Sequence, residues 1–332
     1  MSAFALLDPF LGRATMAALR KRVDGFGPYS TYVAAPATEG LGRGLVRRHD
    51  AAMHHMRSRM AAGRLEPLDV FAARTNLFRG VFLEGETVGL EGLDALVRHP
   101  GLLAAARAVT DRAVAEPSMV YANLLVPGQE LPLHTDTPAY RGLDQTNTPE
   151  WLLVVMLHAG LFEEYRVPMA GAVIFLGACQ GGELVIFDAG PEAPSTRLPV
   201  VVDQAVVFDS ERLFHGVARV GAAGGPAPTV APGARIAWQG GAWHVSDRGR
   251  EVTTWRFDEV RVTIQWKAKC YADAADRARS AEGEDDLTRE EAIEMLVADL
   301  RYRGRMPAER PDDTALALLM IDEYLRFPTE AL

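Results

Sequence analysis

Residues 131–136 read LPLHTD, and they place His134 and Asp136 two positions apart. Side chains two apart on an extended strand point to the same side. The imidazole of His134 and the carboxylate of Asp136 can therefore reach one metal ion. A second histidine, His215, lies far downstream in FDSERLFHGV. Two histidines and one carboxylate leave other coordination positions of a metal open.

Short apolar segments bounded by turn residues surround this motif. SMVYANLLV (118–126) precedes it and ends at the Pro-Gly turn of Pro127 and Gly128. Runs of this length and composition are typical of β-strands, so we predict a β-rich core over residues 118–271. Four more candidate strands follow the motif: GAVIFLG (171–177), GGELVIF (181–187), VDQAVVFDSERLFHGV (202–217) and EVRVTIQWKAKCY (259–271).

Two further segments lie within this core. EWLLVVMLHAGLF (150–162) is predicted to be a buried strand, with His158 as a structural histidine. Residues 221–258 form an insertion that opens with a Gly/Pro/Ala-rich loop. The insertion continues as a hairpin that turns at Gly240 and Gly241. Three of the five tryptophans lie here, and two roles stay open for them, packing of the hairpin or a lid or wall of a substrate pocket: Trp238, Trp243 and Trp255.

The flanking regions are predicted to be mainly helical. Residues 1–117 carry a helix that starts at Asp8-Pro9 and ends near Gly25 and Gly27, because proline is favoured in a first turn. Two more helices are predicted over Arg48–Ala62 and Gly101–Ala115. Adjacent histidines on a helix do not face one another, so His54 and His55 are interpreted as surface or packing residues.

The C-terminal region, residues 272–332, is predicted to be a helical extension. Thr288 and Glu291 form a capping box at the start of one helix, and Asp312 or Asp313 caps a second. Both helices have apolar stripes, so we expect them to cover the core or form a homodimer contact.

Composition narrows the classes of function. The 332 residues are 48% hydrophobic and 24% charged, typical of a globular protein, and the formal net charge is −9. A general nucleic-acid binder would need a basic surface, so nucleic acid is not expected as a partner. The N-terminus does not resemble a signal peptide, and no apolar run approaches the roughly 20 residues of a membrane span. With two distant cysteines, Cys179 and Cys270, a cytoplasmic location is the simplest expectation.

The ordered motifs resemble those of the Fe(II)/2-oxoglutarate-dependent dioxygenases, and more narrowly their prolyl-hydroxylase-like branch. The motifs are HTD (134–136), GGEL (181–184), FDSERLFHGV (208–217) and RVT (261–263). The resemblance covers residues 118–271 and implies an α+β protein with a double-stranded β-helix, or jelly-roll, core. It implies that His134, Asp136 and His215 bind Fe(II), and that O₂ and 2-oxoglutarate are consumed to hydroxylate a C–H bond, with release of succinate and CO₂.

The resemblance also implies where 2-oxoglutarate binds. Arg261 and Thr263 share one face of a strand, and a guanidinium can bind a carboxylate in bidentate fashion. Tyr121 and Asn123 lie on the strand where such enzymes often contact this cosubstrate. Arg261 departs from the family pattern because some forty residues separate it from His215. The rival anchors are Arg219, which lies nearer to His215, and less strongly Lys267.

Other interpretations stay open at this point. The same triad could hold Zn²⁺ or Mn²⁺ and activate water, with Glu183 or Glu211 as a general base. The chain could also be a jelly-roll binding module without catalysis. A small-molecule substrate is favoured over a peptide or protein side chain. Three residues before the core could touch that substrate, although a solvated strand face is the simpler explanation for them: Arg74, Asn76 and Arg79.

Overall fold

The computed structural model describes residues 3–33, 54, 57–61, 63, 67–222, 225, 228, 230–283 and 285–328. The helices are α1 (Arg13–Phe26), α2 (Leu68–Thr75), α3 (Asp94–Val97), α4 (Pro100–Thr110), α5 (Glu150–Ala159), α6 (Ala274–Glu282), α7 (Arg289–Tyr302) and α8 (Asp313–Tyr324), with a short 3₁₀ helix at Phe257–Glu259. The first eight strands are β1 (Phe4–Leu7), β2 (Tyr29–Thr31), β3 (Phe78–Glu84), β4 (Thr87–Val88), β5 (Val114–Leu125), β6 (Leu131–His134), β7 (Ala139–Tyr140) and β8 (Arg166–Val167). The other nine are β9 (Met169–Phe175), β10 (Leu184–Ile186), β11 (Thr196–Leu198), β12 (Ala205–Asp209), β13 (His215–Val217), β14 (Arg235–Gln239), β15 (Ala242–Asp247), β16 (Arg250–Trp255) and β17 (Arg261–Tyr271).

Two antiparallel sheets face each other and form the core. The large sheet has the order β1-β12-β9-β17-β5-β3-β2-β14-β15-β16, and the small sheet has the order β11-β10-β13-β6. Side chains from both sheets meet in one buried cluster, in which Phe175 and Phe208 of the large sheet pack against Leu184 and Ile186 of the small one. The predicted α+β fold with a jelly-roll core is confirmed.

The alternation of β17 separates the two faces of the large sheet. Val262, Ile264 and Trp266 belong to the main hydrophobic cluster, together with residues of α1 and α4. Because side chains alternate along a strand, Arg261, Thr263, Gln265 and Lys267 point to the opposite face, towards the small sheet. The polar residues of this strand are thus collected between the two sheets.

The segment 150–162 is helical, so the prediction of a buried strand is wrong. Helix α5 begins after Pro149 and ends at Gly160, which adopts a left-handed conformation that closes a helix. Residues 151–156 are all buried, because α5 packs against α7 and α8 in a second hydrophobic cluster. A helix buried on every side shows no period in its apolar pattern and cannot be distinguished from a buried strand by periodicity. His158 stacks on Phe214, as expected for a structural histidine.

The N-terminal region contributes strands as well as helices. β1 pairs with β12 and β3 pairs with β5, so this region extends the large sheet on both sides of the core. Helix α1 begins at Arg13 rather than at Asp8-Pro9. The preceding residues Phe4–Leu7 form strand β1, so the helix starts later in the chain than predicted. The predicted helix over Arg48–Ala62 lies largely outside the described residues, as does His55. His54 packs face to face with the ring of Phe327.

The C-terminal helices begin where the capping signals predicted. Thr288 and Glu291 form a reciprocal capping box, and Asp312 caps α8 through the backbone amide of Ala315. Both helices pack on α5, which accounts for their apolar stripes; a homodimer contact stays a prediction. Within the described ranges, no helix combines the length and apolar character needed to cross a bilayer.

The insertion builds an additional edge of the large sheet. β14 and β15 form the predicted hairpin with its turn at Gly240 and Gly241, and β14 pairs with β2. Trp243 is fully buried in the main core, and Trp238 and Trp255 pack against that core. This arrangement supports packing, rather than a lid, as the role of the three tryptophans.

Candidate metal centre and cosubstrate pocket

The two histidines and the aspartate of the predicted triad meet in the structure. His134 ends β6 and His215 begins β13, and the two residues are paired across these antiparallel strands. Oδ1 of Asp136 lies 3.8 Å from Nε2 of His134 and 3.9 Å from Nε2 of His215. One ligand atom from each residue lies within 4.8 Å of the other two. The spacing suits a single metal ion held by all three.

Both imidazole rings are oriented in the same way. Nδ1 of His134 lies 2.7 Å from the carbonyl oxygen of Pro132, and Nδ1 of His215 lies 2.9 Å from that of Leu213. A carbonyl oxygen only accepts hydrogen bonds, so Nδ1 is the protonated nitrogen in each neutral ring. The lone pair of each Nε2 is therefore available to a metal, with the backbone fixing the tautomer.

Lys267 holds the second oxygen of Asp136. Its Nζ donates to Oδ2 of Asp136 and also to Oγ of Ser210, at 3.0 Å for the latter. Burial alone raises the pKa of Asp136, but Lys267 and the two histidines outweigh this effect and hold that pKa well below its usual range. Burial likewise lowers the pKa of Lys267, and Asp136 more than reverses the effect. The carboxylate thus stays ionised with only Oδ1 directed at the histidines.

Gly171 makes room for this ion pair. A Cβ atom at residue 171 would lie 2.7 Å from Oγ of Ser210 and 2.8 Å from Nζ of Lys267. Both contacts are closer than a carbon atom tolerates, so any larger residue would displace the lysine from Asp136.

Arg261 is a buried cation that has no counter-ion within ion-pair distance in the described part of the chain. The residue is 1% exposed, and its Nε donates to the carbonyl oxygen of Gly182 at 2.7 Å. Its Nη1 donates to Oγ1 of Thr263 at 3.3 Å, whereas Nη2 has no hydrogen-bond partner and no carboxylate within ion-pair distance among the described residues. Burial accordingly lowers the pKa of Arg261 to about 10. A buried charge without a counter-ion lowers the stability of the folded protein unless a bound ligand supplies the anion.

The side chain of Arg261 requires a glycine at the second position of the GGEL motif. Gly182 has φ +72°, and a Cβ atom on it would lie 2.9 Å from Cδ of Arg261. The motif therefore provides both the backbone acceptor for the guanidinium and the space for its side chain.

The other predicted cosubstrate residues lie on the same face. Thr263 is paired with Asn123 across β17 and β5, and its hydroxyl donates to the carbonyl oxygen of Asn123 at 3.3 Å. Tyr121 is paired with Gln265, two residues further along the same pair of strands. The structure thus places Arg261, Thr263, Asn123 and Tyr121 in one polar strip between the two sheets.

The rival anchors are engaged elsewhere. Nε of Arg219 lies 3.6 Å from a carboxylate oxygen of Glu130, and its side chain is 26% exposed. Lys267 is paired with Asp136. Arg261 is therefore the better match for a buried carboxylate.

The turn between β12 and β13 is buried, although its sequence is polar. Nη1 of Arg166 donates to Oε2 of Glu211 at 2.7 Å, and the backbone amide of Met169 donates to the same oxygen at 3.2 Å. Burial raises the pKa of Glu211 well above its usual value, although Arg166 opposes this. The ion pair fixes the turn that leads to His215, and it engages one of the two carboxylates, those of Glu183 and Glu211, that could serve a hydrolase as a base.

Sequence reasoning missed the pairings of Arg166 and Lys267. The strict alternation of β17 puts Lys267 on the same face as Arg261 and Thr263, and this signal could have linked it to the metal site. No comparable signal exists for Arg166, because its partner Glu211 is distant in sequence.

Fold and site together define a class, namely a double-stranded β-helix protein with an open two-histidine, one-carboxylate metal site between its sheets. No protein-family model and no curated protein matches the chain.

Several solved structures are similar to the chain. One is a prolyl hydroxylase from Trichoplax adhaerens in complex with a hypoxia-inducible-factor oxygen degradation domain peptide, with 12% identity, 85% of this chain and 87% of that chain covered, and a TM-score of 0.44. A 2OG-Fe(II) oxygenase family oxidoreductase from Burkholderia pseudomallei has 14% identity, 80% and 85% coverage, and a TM-score of 0.39. HygX from Streptomyces hygroscopicus, with nickel, 2-oxoglutarate and hygromycin B bound, has 10% identity, 83% and 90% coverage, and a TM-score of 0.38. The protein from Burkholderia pseudomallei is described as a member of the superfamily that the sequence motifs resemble.

Proposed function

We propose that this chain is an Fe(II)- and 2-oxoglutarate-dependent dioxygenase. One observation carries the proposal: an open three-ligand site lies between the same two sheets as a buried guanidinium for which the described residues provide no counter-ion. The first suits an iron ion that must also bind a cosubstrate and O₂. The second suits the far carboxylate of a dicarboxylate.

The donor set alone would also accept Zn²⁺ or Mn²⁺. Arg261 distinguishes the oxygenase from the hydrolase, because activation of water does not require a buried anion pocket. Glu211, one candidate for the general base of a hydrolase, is already bound by Arg166. The residues present therefore fit iron with 2-oxoglutarate better than a hydrolytic metal.

Each residue of the site would have a distinct task. His134, Asp136 and His215 would hold the metal, and Lys267 would keep Oδ2 of Asp136 engaged so that the carboxylate binds through Oδ1 alone. Iron with 2-oxoglutarate and O₂ supplies the oxidising power to hydroxylate an unactivated C–H bond, with release of succinate and CO₂. Arg261 would then bind the cosubstrate's distal carboxylate.

The surroundings of the site would support these tasks. Thr263 adds a donor beside Arg261, and Tyr121 and Asn123 lie along the same strip. Phe175 and Phe208 are essentially fully buried and contribute apolar walls. Such walls limit water near the reacting groups and strengthen the electrostatic interactions within the site.

The substrate is proposed to be a small metabolite or an amino-acid-like molecule. A peptide or protein side chain is the alternative, and a non-catalytic metal-binding jelly roll is the alternative from another class. Formation of succinate that requires Fe(II) separates both enzymes from the binding module.

The test is an anaerobic titration with Fe(II) followed by 2-oxoglutarate, monitored by the visible metal-to-ligand charge-transfer band. Wild type is compared with His134→Ala, Arg261→Ala and Arg219→Ala. We expect the band in wild type and its loss in His134→Ala. Arg261→Ala should need at least tenfold more 2-oxoglutarate, because a buried charged hydrogen bond contributes roughly 1.5–3 kcal/mol.

Arg219→Ala serves as the matched control and should titrate like wild type. If iron binds and no band forms, the assignment of 2-oxoglutarate is wrong. If Arg219→Ala and not Arg261→Ala weakens 2-oxoglutarate, the anchor has been placed on the wrong arginine.

A further inference from the structure

Arg79 occupies a fixed position beside the polar strip. It lies on β3, paired with Asn123 on β5, and its Nε donates to Oδ1 of Asn123 at 3.0 Å. The guanidinium lies between two aromatic rings, 4.1 Å from the centroid of Tyr32 and 4.3 Å from that of Tyr121. Two cation–π contacts and one hydrogen bond therefore hold this side chain in place.

The described residues supply no anion to Arg79. Among the described residues, no carboxylate lies within ion-pair distance of its guanidinium, and Asn123 is its one hydrogen-bond partner. Lys267, by contrast, is paired with Asp136, and Arg261 is assigned to the distal carboxylate of 2-oxoglutarate. Arg79 is thus a cation of this face with no assigned anion.

Arg79 is partly buried, and its neighbours on this face reach solvent. Tyr32 is 41% exposed and Val81, the next residue of β3 on the same face, is 40% exposed, whereas Arg261 is 1% exposed. Cζ lies at cation–π distance from both tyrosine rings, and Nε donates to Asn123. Its terminal nitrogens are therefore left to bind a ligand at the open side of the site.

We infer that the primary substrate carries a carboxylate, and that Arg79 binds it. The inference rests on the proposed function. A planar guanidinium with both terminal nitrogens available matches a carboxylate in bidentate geometry. One guanidinium held by two neutral rings balances one negative charge, which favours a carboxylate over a more highly charged group. The substrate class is accordingly a small organic acid.

The test measures binding of paired ligands to protein loaded with Zn²⁺ and saturating 2-oxoglutarate, so that no turnover occurs. The probes are benzoate with benzamide, phenylacetate with phenylacetamide, and N-acetyl amino acids with their primary amides. Titration calorimetry compares wild type with Arg79→Gln and with Arg79→Lys, which keeps the charge. Arg250→Gln, at an exposed strand arginine without an ion pair among the described residues, is the matched control.

We expect at least one acid to bind wild type tenfold or more tightly than its amide, since a charge-assisted bidentate pair is lost in the amide. Arg79→Gln should lose that preference, Arg79→Lys should retain part of it, and Arg250→Gln should behave as wild type. Arg79→Gln should weaken 2-oxoglutarate much less than Arg261→Ala does, because Arg79 reaches the cosubstrate strip only through its contacts with Asn123 and Tyr121.

Three results overturn the inference. Wild type and Arg79→Gln could bind every acid with equal affinity, or neither could bind any acid. The amides could bind as tightly as the acids. Arg79→Gln could weaken binding of 2-oxoglutarate as much as Arg261→Ala does, which would show that Arg79 binds the cosubstrate and not the primary substrate. If the charge-transfer band fails to form in the Fe(II) titration of wild type, the proposed function is wrong as well. If that band forms and wild type and Arg79→Gln bind the acids equally, only the inference about Arg79 is wrong.

Discussion

The ion pair between Lys267 and Asp136 allows a direct test of how the metal site is prepared. The substitution is Lys267→Met, which keeps most of the side-chain volume and removes the charge. In the metal-free protein it leaves the carboxylate of Asp136 in a largely enclosed site without its lysine. A bound divalent ion would replace the missing positive charge. We therefore expect a large penalty without metal and a small one with metal.

The size of the penalty follows from the burial of the pair. The side chains of Lys267 and Asp136 are 9% and 23% exposed, and removing one partner of a buried pair costs about 3–5 kcal/mol. The partial exposure of Asp136 favours the lower end, about 3 kcal/mol. With an unfolding entropy of about 2.1 cal/mol/K per residue, this free energy lowers the Tm of a chain of this length by about 4 °C.

The assay is differential scanning calorimetry of chelator-treated and Zn²⁺-loaded protein. Lys269→Met is the matched control, since Lys269 lies on the same strand with an exposed side chain. We expect Lys267→Met to lose about 4 °C without metal and less than half of that with metal. Lys269→Met should change Tm by less than about 1 °C in both forms.

Two results would refute this reasoning. An unchanged Tm of metal-free Lys267→Met would show that Asp136 does not depend on the lysine. Equal losses with and without metal would show that the lysine contributes to packing and not to the charge balance of the site.

Four further predictions concern neighbouring features of the structure. Arg261→Met should abolish 2-oxoglutarate binding with a free energy of unfolding in urea no lower than that of wild type, because the variant removes an unpaired buried charge. Gly171→Ala should reproduce the calorimetric pattern of Lys267→Met, since the added methyl group displaces the lysine. Trp243→Ala should lower the free energy of unfolding by about 3–5 kcal/mol through a core cavity and leave Zn²⁺ affinity of the folded protein unchanged; a weakened affinity would contradict the separation of the hairpin from the site. Because the pKa of Asp136 is lowered from 3.8, the stabilisation by its ion pair is present above that value and is lost as pH falls through the lower folded value. In metal-free wild type the carboxylate of Asp136 should therefore stay ionised from about pH 8 down to about pH 4, and carboxylate carbon NMR that shows it protonated above about pH 4 would contradict the ion pair.

Local patterns predicted most of the elements near the site. The strands at GAVIFLG and GGELVIF, the hairpin at Gly240-Gly241 and the capping box of α7 follow from alternation, turn residues and caps, all of which act over a few residues. α5 shows where such patterns fail. Its residues are buried partly by nearby segments and partly by α7 and α8, which lie more than a hundred residues away in sequence, so the period that distinguishes a helix from a strand is absent.

By itself, the sequence determined which residues could serve the chemistry, since the spacing of His134 and Asp136 and the alternation of Arg261 and Thr263 are local properties of extended strands. The tertiary structure decided which charged side chains have a partner of opposite charge. Only the pairing of β6 with β13 brings His215 to the other two ligands. Only the facing sheets show that Lys267 is paired with Asp136, whereas no carboxylate of the described residues lies within ion-pair distance of Arg261 or Arg79. Compensation depends on through-space distances of a few ångströms between residues far apart in the chain, and no local pattern in a sequence encodes such distances.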